Sequence, residues 1–106
     1  MQDKRKIRSE RRAEVIKALA HPSRILIAEA LGENEMSVGE LTELVGSDIS
    51  TVSKHLSIMR NVGLVDVDKR GLNVYYRIQC GCLTDFFSCV DGLSRSRIKA
   101  LVGSLS

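Results

Sequence analysis

The chain has 106 residues, a net charge of +3, 43% hydrophobic and 27% charged residues. That balance excludes global disorder and fits one folded domain, whose modest core pairing with a second copy would enlarge. No apolar run reaches bilayer-spanning length and no signal-peptide core follows the charged N-terminus, so a cytoplasmic protein with reduced cysteines and no membrane partner is expected.

Positive charge is concentrated at the start. Residues 1–12 hold Lys4, Arg5, Lys6, Arg8, Arg11 and Arg12 against Asp3 and Glu10, a balance of +4 that leaves the rest at −1. Any basic footprint for a polyanion must therefore be local. Residues 1–8 read as a basic, partly flexible arm, with helix setting in near Arg8 and Ala13–Ala20 apolar enough to pack.

His21-Pro22 breaks this helix, because proline cannot continue it but is pre-set for the first position of the next. His21, a lone histidine before proline, reads as a cap or loop residue. From Pro22 to about Gly32 the segment carries Ile25, Leu26, Ile27, Ala28, Ala30 and Leu31. Apolar on nearly every side, it is the expected central core helix. A polar turn at Glu33–Glu35 precedes a short extended piece at Met36-Ser37. Ser37 then caps a third helix, Val38–Val45, with Leu41, Leu44 and Val45 facing inward.

The stretch Ser47–Gly63, SDISTVSKHLSIMRNVG, spaces Ile49, Val52, Leu56, Met59 and Val62 as one buried helical stripe, with Asp48 as its cap and Gly63 as its stop. Its outward face holds Ser50, Thr51, Ser53, Lys54, Ser57 and Arg60, short hydrogen-bonding groups and two cations with no carboxylate beyond the cap. Solvated helices usually prefer Glu, Lys, Gln and Ala, since Ser and Thr compete for backbone hydrogen bonds. Such a face suits close approach to a polyanion. With the helix before it and the Gly46-Ser47-Asp48 turn, it forms a helix-turn-helix whose second helix is expected in the DNA major groove.

After Gly63 the periodicity alternates. Leu64–Asp68 and Asn73–Ile78 predict a β-hairpin with Lys69, Arg70 and Asn73 at its tip, a basic wing beside the recognition helix. The last segment, Leu83 to about Val102, predicts a helix with Leu83, Phe86, Phe87, Val90, Leu93, Ile98, Leu101 and Val102 on a broad apolar face. That is more than a monomer readily covers, and a symmetric dimer is the economical explanation. The expected fold is mostly α with a small β-hairpin: a winged helix-turn-helix of about five helices and a two-stranded wing. It forms a single DNA-binding and dimerisation domain over residues 1–106, with 83–102 as the dimer helix.

The motifs LAHPSRILIAEAL, SVGELTELV, STVSKHLSIMRNVGLV and GLNVYYRI, in that order, resemble the ArsR/SmtB family of dimeric winged-helix repressors, over about residues 13 to 100. Members leave their operators on binding a metal ion, a metalloid or another inducer. The resemblance implies that Ser50, Thr51, Ser53, Lys54, His55 and Ser57 face DNA or orient what does, and that Lys69, Arg70 and Asn73 form the wing. It also implies double-stranded operator DNA and a second copy of the chain as partners, with no small-molecule substrate.

The family's cysteine-bearing arsenic box corresponds here to Met36–Leu41, which holds no thiol, and no histidine follows His55 to build the family's last-helix metal site. Three cysteines remain: Cys80, Cys82 and Cys89. An odd, clustered set of thiols is a poor disulfide framework, suits thiophilic ions, and lacks the fourth ligand of structural zinc. Three-coordinate As(III) or Sb(III), acting as inducer and not needed for DNA binding, is the expected ligand. For Cys82 and Cys89 to meet, the Cys80–Cys82 loop must fold back along the last helix, or the site must be shared between subunits. Oxidation or persulfide formation at the same thiols is the rival, and a winged helix that binds protein instead of DNA a remoter one. No catalytic grouping marks an enzyme.

Overall fold

The structure, a computed structural model, describes residues 3–105 apart from the side chains of residues 94, 96, 98, 104 and 105. The apolar role expected of Ile98 lies outside the described residues, as do Met1 and Gln2. Five helices and three strands follow in the order α1 (Lys4–Leu19), α2 (Pro22–Glu33), β1 (Met36–Ser37), α3 (Val38–Val45), α4 (Ile49–Asn61), β2 (Val65–Arg70), β3 (Asn73–Ile78) and α5 (Leu83–Leu105). None of these helices is long and apolar enough to cross a membrane.

Helix α1 begins at Lys4, not near Arg8. The Asp3 carboxylate accepts the Arg5 N–H at 2.9 Å and supplies the cap that a basic segment otherwise lacks. Only Ala18 and Leu19 of α1 are buried. Helix α2 runs through the centre, burying Ile27, Ala28 and Leu31. Ser37 and Glu40 form a reciprocal capping box at the start of α3, and Gly46 ends that helix at φ 77°.

In α4 the inward residues Val52, Leu56 and Met59 join Ile27 and Leu41 in the core. Ile49 departs from the expected stripe and is 56% exposed, because it sits in the first turn, ahead of the packed part of the helix. The helix stops where Gly63, at φ 82°, donates its N–H to Arg60 O and Leu64 donates to Met59 O. This paired closure needs a left-handed residue, which glycine adopts without a Cβ penalty.

The wing is closed by two residues, Gly71-Leu72, since Arg70 pairs with Asn73 in the register. Gly71 has φ 65° and Leu72 is not at positive φ, the pattern of a type II′ hairpin turn. The sheet has three strands, not two. Met36 and Ser37 pair with Tyr76 and Tyr75, giving the order β1-β3-β2 and tying the wing to the start of α3.

Helix α5 packs on α2 near its own start, where Phe87 is buried, and then leaves the body. Phe86, Val90, Leu93, Leu101 and Val102 are exposed, and Ile16 of α1 is exposed beside them. Between these helices lies an apolar groove of about 290 Å³, lined by Ile16, Leu19, Ile25, Phe86, Phe87 and Val90 among others.

Candidate nucleic-acid interface and thiol pair

Helix α4 presents its polar face because Asp48 starts it in register with the core stripe. The Asp48 carboxylate accepts the Thr51 N–H at 2.8 Å and the Ser50 hydroxyl at 2.9 Å. Hydrogen bonds from Thr51 and then Ser50 hold its pKa below the usual carboxylate range, so the cap is anionic at neutral pH. Ser50 and Thr51 are thus partly committed to the helix start. Ser53, Lys54, Ser57 and Arg60 are exposed along the rest of the helix. Asn61 was missed by the sequence reading, yet it is exposed, and spacing alone could have found it. Positions 50, 54, 57 and 61 follow the four-three-four rhythm of one helix face.

His55 is a correction to the DNA-facing set. It is only 8% exposed and points inward, where its Nδ1 accepts a hydrogen bond from Arg24 Nε at 3.1 Å. Arg24 also donates to the Ala18 carbonyl at 3.2 Å, so one guanidinium joins the ends of α1 and α2 to the recognition helix. The His21 ring lies 4.5 Å from the His55 ring, centre to centre, and its own Nδ1 caps α2 by accepting the Ser23 N–H. The physical reason is angular: in the sequence of positions 52, 55, 56 and 59, residue 55 falls within the buried arc.

Burial first, then the charges of His21 and Arg24, push His55 below its ordinary value of 6.5. An unfolded chain takes up that proton more readily than the folded one. The stability carried by the neutral ring is therefore full above about pH 6.5 and declines as pH falls toward the lowered folded-state value. Melting curves between pH 8 and pH 5 should show the melting temperature falling below about pH 6.5, with a shallower fall in His55→Gln.

At the wing, Lys69 and Asn73 are exposed at the tip, as expected. Arg70 is half-exposed and already held by partners within the fold. Its guanidinium pairs with Glu35 at 2.5 Å and with Asp68 at 2.9 Å, and it lies 5.0 Å above the Tyr75 ring. Both carboxylates and the ring hold it along the sheet, so it anchors the wing to the turn before β1.

Beyond β3 the chain passes through Cys80-Gly81-Cys82 into α5. The Cys80 and Cys82 sulfurs lie 2.6 Å apart, and Leu83 N–H and Phe86 N–H close the turn onto the Cys80 and Cys82 carbonyls. This turn becomes the first turn of α5 and does not fold back along the helix. Cys89 is exposed further along α5, and among the described residues no three His, Cys, Asp or Glu groups stand together to hold a metal ion. Within one subunit the three thiols are therefore a pair and a separate third. The Cys80 thiol, and more weakly Asp85, raise Cys82 above its ordinary value.

A helix-turn-helix with an exposed hydroxyl-rich second helix, a basic-tipped wing and a long terminal helix with Phe86, Val90 and Leu93 exposed defines the winged helix-turn-helix class. The family model for bacterial regulatory proteins of the arsR family matches residues 21–67. The chain is 39% identical to the HTH-type transcriptional regulator YgaV of Escherichia coli K12, over 67% of its own length and 73% of that protein's. It is 36% identical to the biofilm growth-associated repressor of Agrobacterium fabrum, over 60% of its own length but only 55% of that protein's. Among solved structures, the homodimeric winged helix-turn-helix DNA-binding domain of Mb0332 from Mycobacterium bovis superposes with a TM-score of 0.78 at 26% identity, covering 94% of this chain and 93% of that one. The chain belongs to the ArsR family of bacterial regulatory proteins. Its relatives are transcriptional regulators, not enzymes.

Proposed function

We propose that the chain is a homodimeric transcriptional repressor that binds operator DNA through α4 and the wing and is released by a thiophilic inducer. The observation that carries the reading is the exposed face Ser53, Lys54, Ser57 and Asn61, held rigidly over the core by Val52, Leu56 and Met59. Hydroxyls and Lys54 can meet phosphates and base edges, and Lys69 and Asn73 reach the backbone from the wing tip. The apolar groove between α1 and α5, with Phe86 and Leu93 exposed beside it, suits a second copy of the same face. The homodimeric state of the Mycobacterium bovis domain supports this. Two recognition helices would then read half-sites about 34–36 Å apart.

The inducer reading rests on the Cys80–Cys82 pair at the joint between wing and α5. As(III) enters as arsenous acid; each thiol that binds replaces one hydroxyl and leaves its proton in a released water. Two of its bonds go to the pair, and Cys89 of the second subunit completes the set across the dimer face. Capture there biases the angle between wing and dimer helix, and a ligand that binds the DNA-free arrangement better lowers operator affinity. The second reading needs only the pair: an oxidant removes two electrons and two protons, leaving a Cys80–Cys82 disulfide, or a persulfide chain if the oxidant is a polysulfide. A mobility-shift assay with the duplex upstream of the protein's own gene, against scrambled competitor, tests the DNA-binding claim. Retardation that survives competitor supports it, and equal retardation of both duplexes sinks it.

A further inference from the structure

The strongest charged surface left unused by these readings is the first half of α1. This helix is anchored only near its end, through half-buried Val15 and buried Ala18 and Leu19. Counting back from them by threes and fours reaches Arg12, Arg11, Arg8 and Lys4, so these cations continue the docking face past the edge of the body. Glu10 falls on the opposite side of the helix. Like charges spaced three and four apart repel, and among the described residues the one ion pair made by the cations of this segment is Arg5–Asp3.

The stripe has a definite neighbour. Arg8, Arg11 and Arg12 border an open groove of about 620 Å³ whose other wall is Asn61 and Val62, at the end of the recognition helix, with Glu14 as its one acid among the described lining residues. Asn61 lies on the same outward face of α4 as Ser50, Lys54 and Ser57. A duplex seated on that face runs its backbone past Asn61 toward the arginines, and charge complementarity selects phosphate as the occupant.

We propose that Lys4, Arg8, Arg11 and Arg12 form a second DNA-contact surface, a phosphate clamp that extends each subunit's footprint past the end of the recognition helix. It rests on the DNA-binding reading and adds a surface to it. Phosphate contacts carry no sequence information but release counterions, so the clamp is read in the salt dependence of affinity.

The test compares the full chain with the Arg8→Gln, Arg11→Gln, Arg12→Gln triple variant on one operator duplex between 50 and 200 mM salt. Each lost phosphate contact lowers the slope of log affinity against log salt by ~0.9, so a dimer losing at least one of the three contacts per subunit loses at least ~1.8. Over that range the wild type should then lose at least about tenfold more affinity than the variant. A matching Arg→Lys triple variant keeps the charge and should keep the wild-type slope. Equal slopes for wild type and the Gln variant assign the stripe to another partner and overturn the proposal, as does a lowered slope in the Lys variant, which marks a packing role. If the wild type itself shows no operator preference, the DNA-binding reading falls and takes the clamp with it.

Discussion

Lys54→Glu is expected to weaken operator binding by about 100-fold or more while moving the melting temperature by less than about 4 °C. Lys54 is exposed in the middle of α4 and attracts the Asp48 carboxylate only weakly. A cation facing DNA contributes roughly 1–3 kcal/mol, and a dimer loses two of them. Reversal also sets a carboxylate against phosphate, which adds repulsion to the loss. Fluorescence anisotropy with a labelled duplex measures the first quantity and differential scanning calorimetry the second. A variant that binds within about threefold of wild type would remove α4 from the interface, since that is well under 1 kcal/mol for two sites.

The second large effect concerns the thiols. Cys80→Ser and Cys82→Ser should each abolish release of DNA by arsenite and leave the affinity of the untreated protein unchanged. Each substitution removes half of a pair whose sulfurs are 2.6 Å apart, and neither thiol lies on the recognition helix. Cys89→Ser separates the two inducer readings. It should weaken the arsenite response, because the third thiolate is lost, while an oxidant that joins Cys80 to Cys82 keeps its effect. Mass spectrometry of the treated protein reads the product directly: an arsenic adduct on reduced thiols in one case, loss of two hydrogens or gain of sulfur in the other.

The parts of the fold that local chemistry dictates were legible in the sequence. The capping box at Ser37 and Glu40, the Asp48 cap and the left-handed stop at Gly63 are set by residues within five positions of one another. The core residues Val52, Leu56 and Met59 followed from helical spacing alone. What stayed illegible depends on distant partners. Arg70 looked like a wing cation because nothing nearby in sequence shows Glu35 waiting across the sheet. The extended piece at Met36-Ser37 was legible, but not its pairing as a third strand, because its partners Tyr76 and Tyr75 lie far along the chain.

His55 is a different kind of miss. Its helical angle places it in the buried arc beside Leu56, and the resemblance implied only that it faces DNA or orients what does. The partner that stabilises a histidine there, Arg24, is 31 residues away. The early helix start has a local cause that the reading passed over: Asp3 can accept the Arg5 N–H, and that one cap extends α1 to Lys4. The cysteine trio divides for a reason of chain direction. The Cys80–Cys82 turn feeds forward into α5, so Cys89 is carried away along the helix and stands apart from the pair within one subunit.

Titration of arsenite into a preformed complex of the reduced protein with its labelled operator tests the central claim most directly. Sequence-preferring binding, followed by full release as arsenite saturates the thiols and rebinding when a dithiol chelator removes it, is the result expected. A complex that forms equally well on scrambled DNA, or one that persists when arsenic is bound at Cys80 and Cys82, would contradict it.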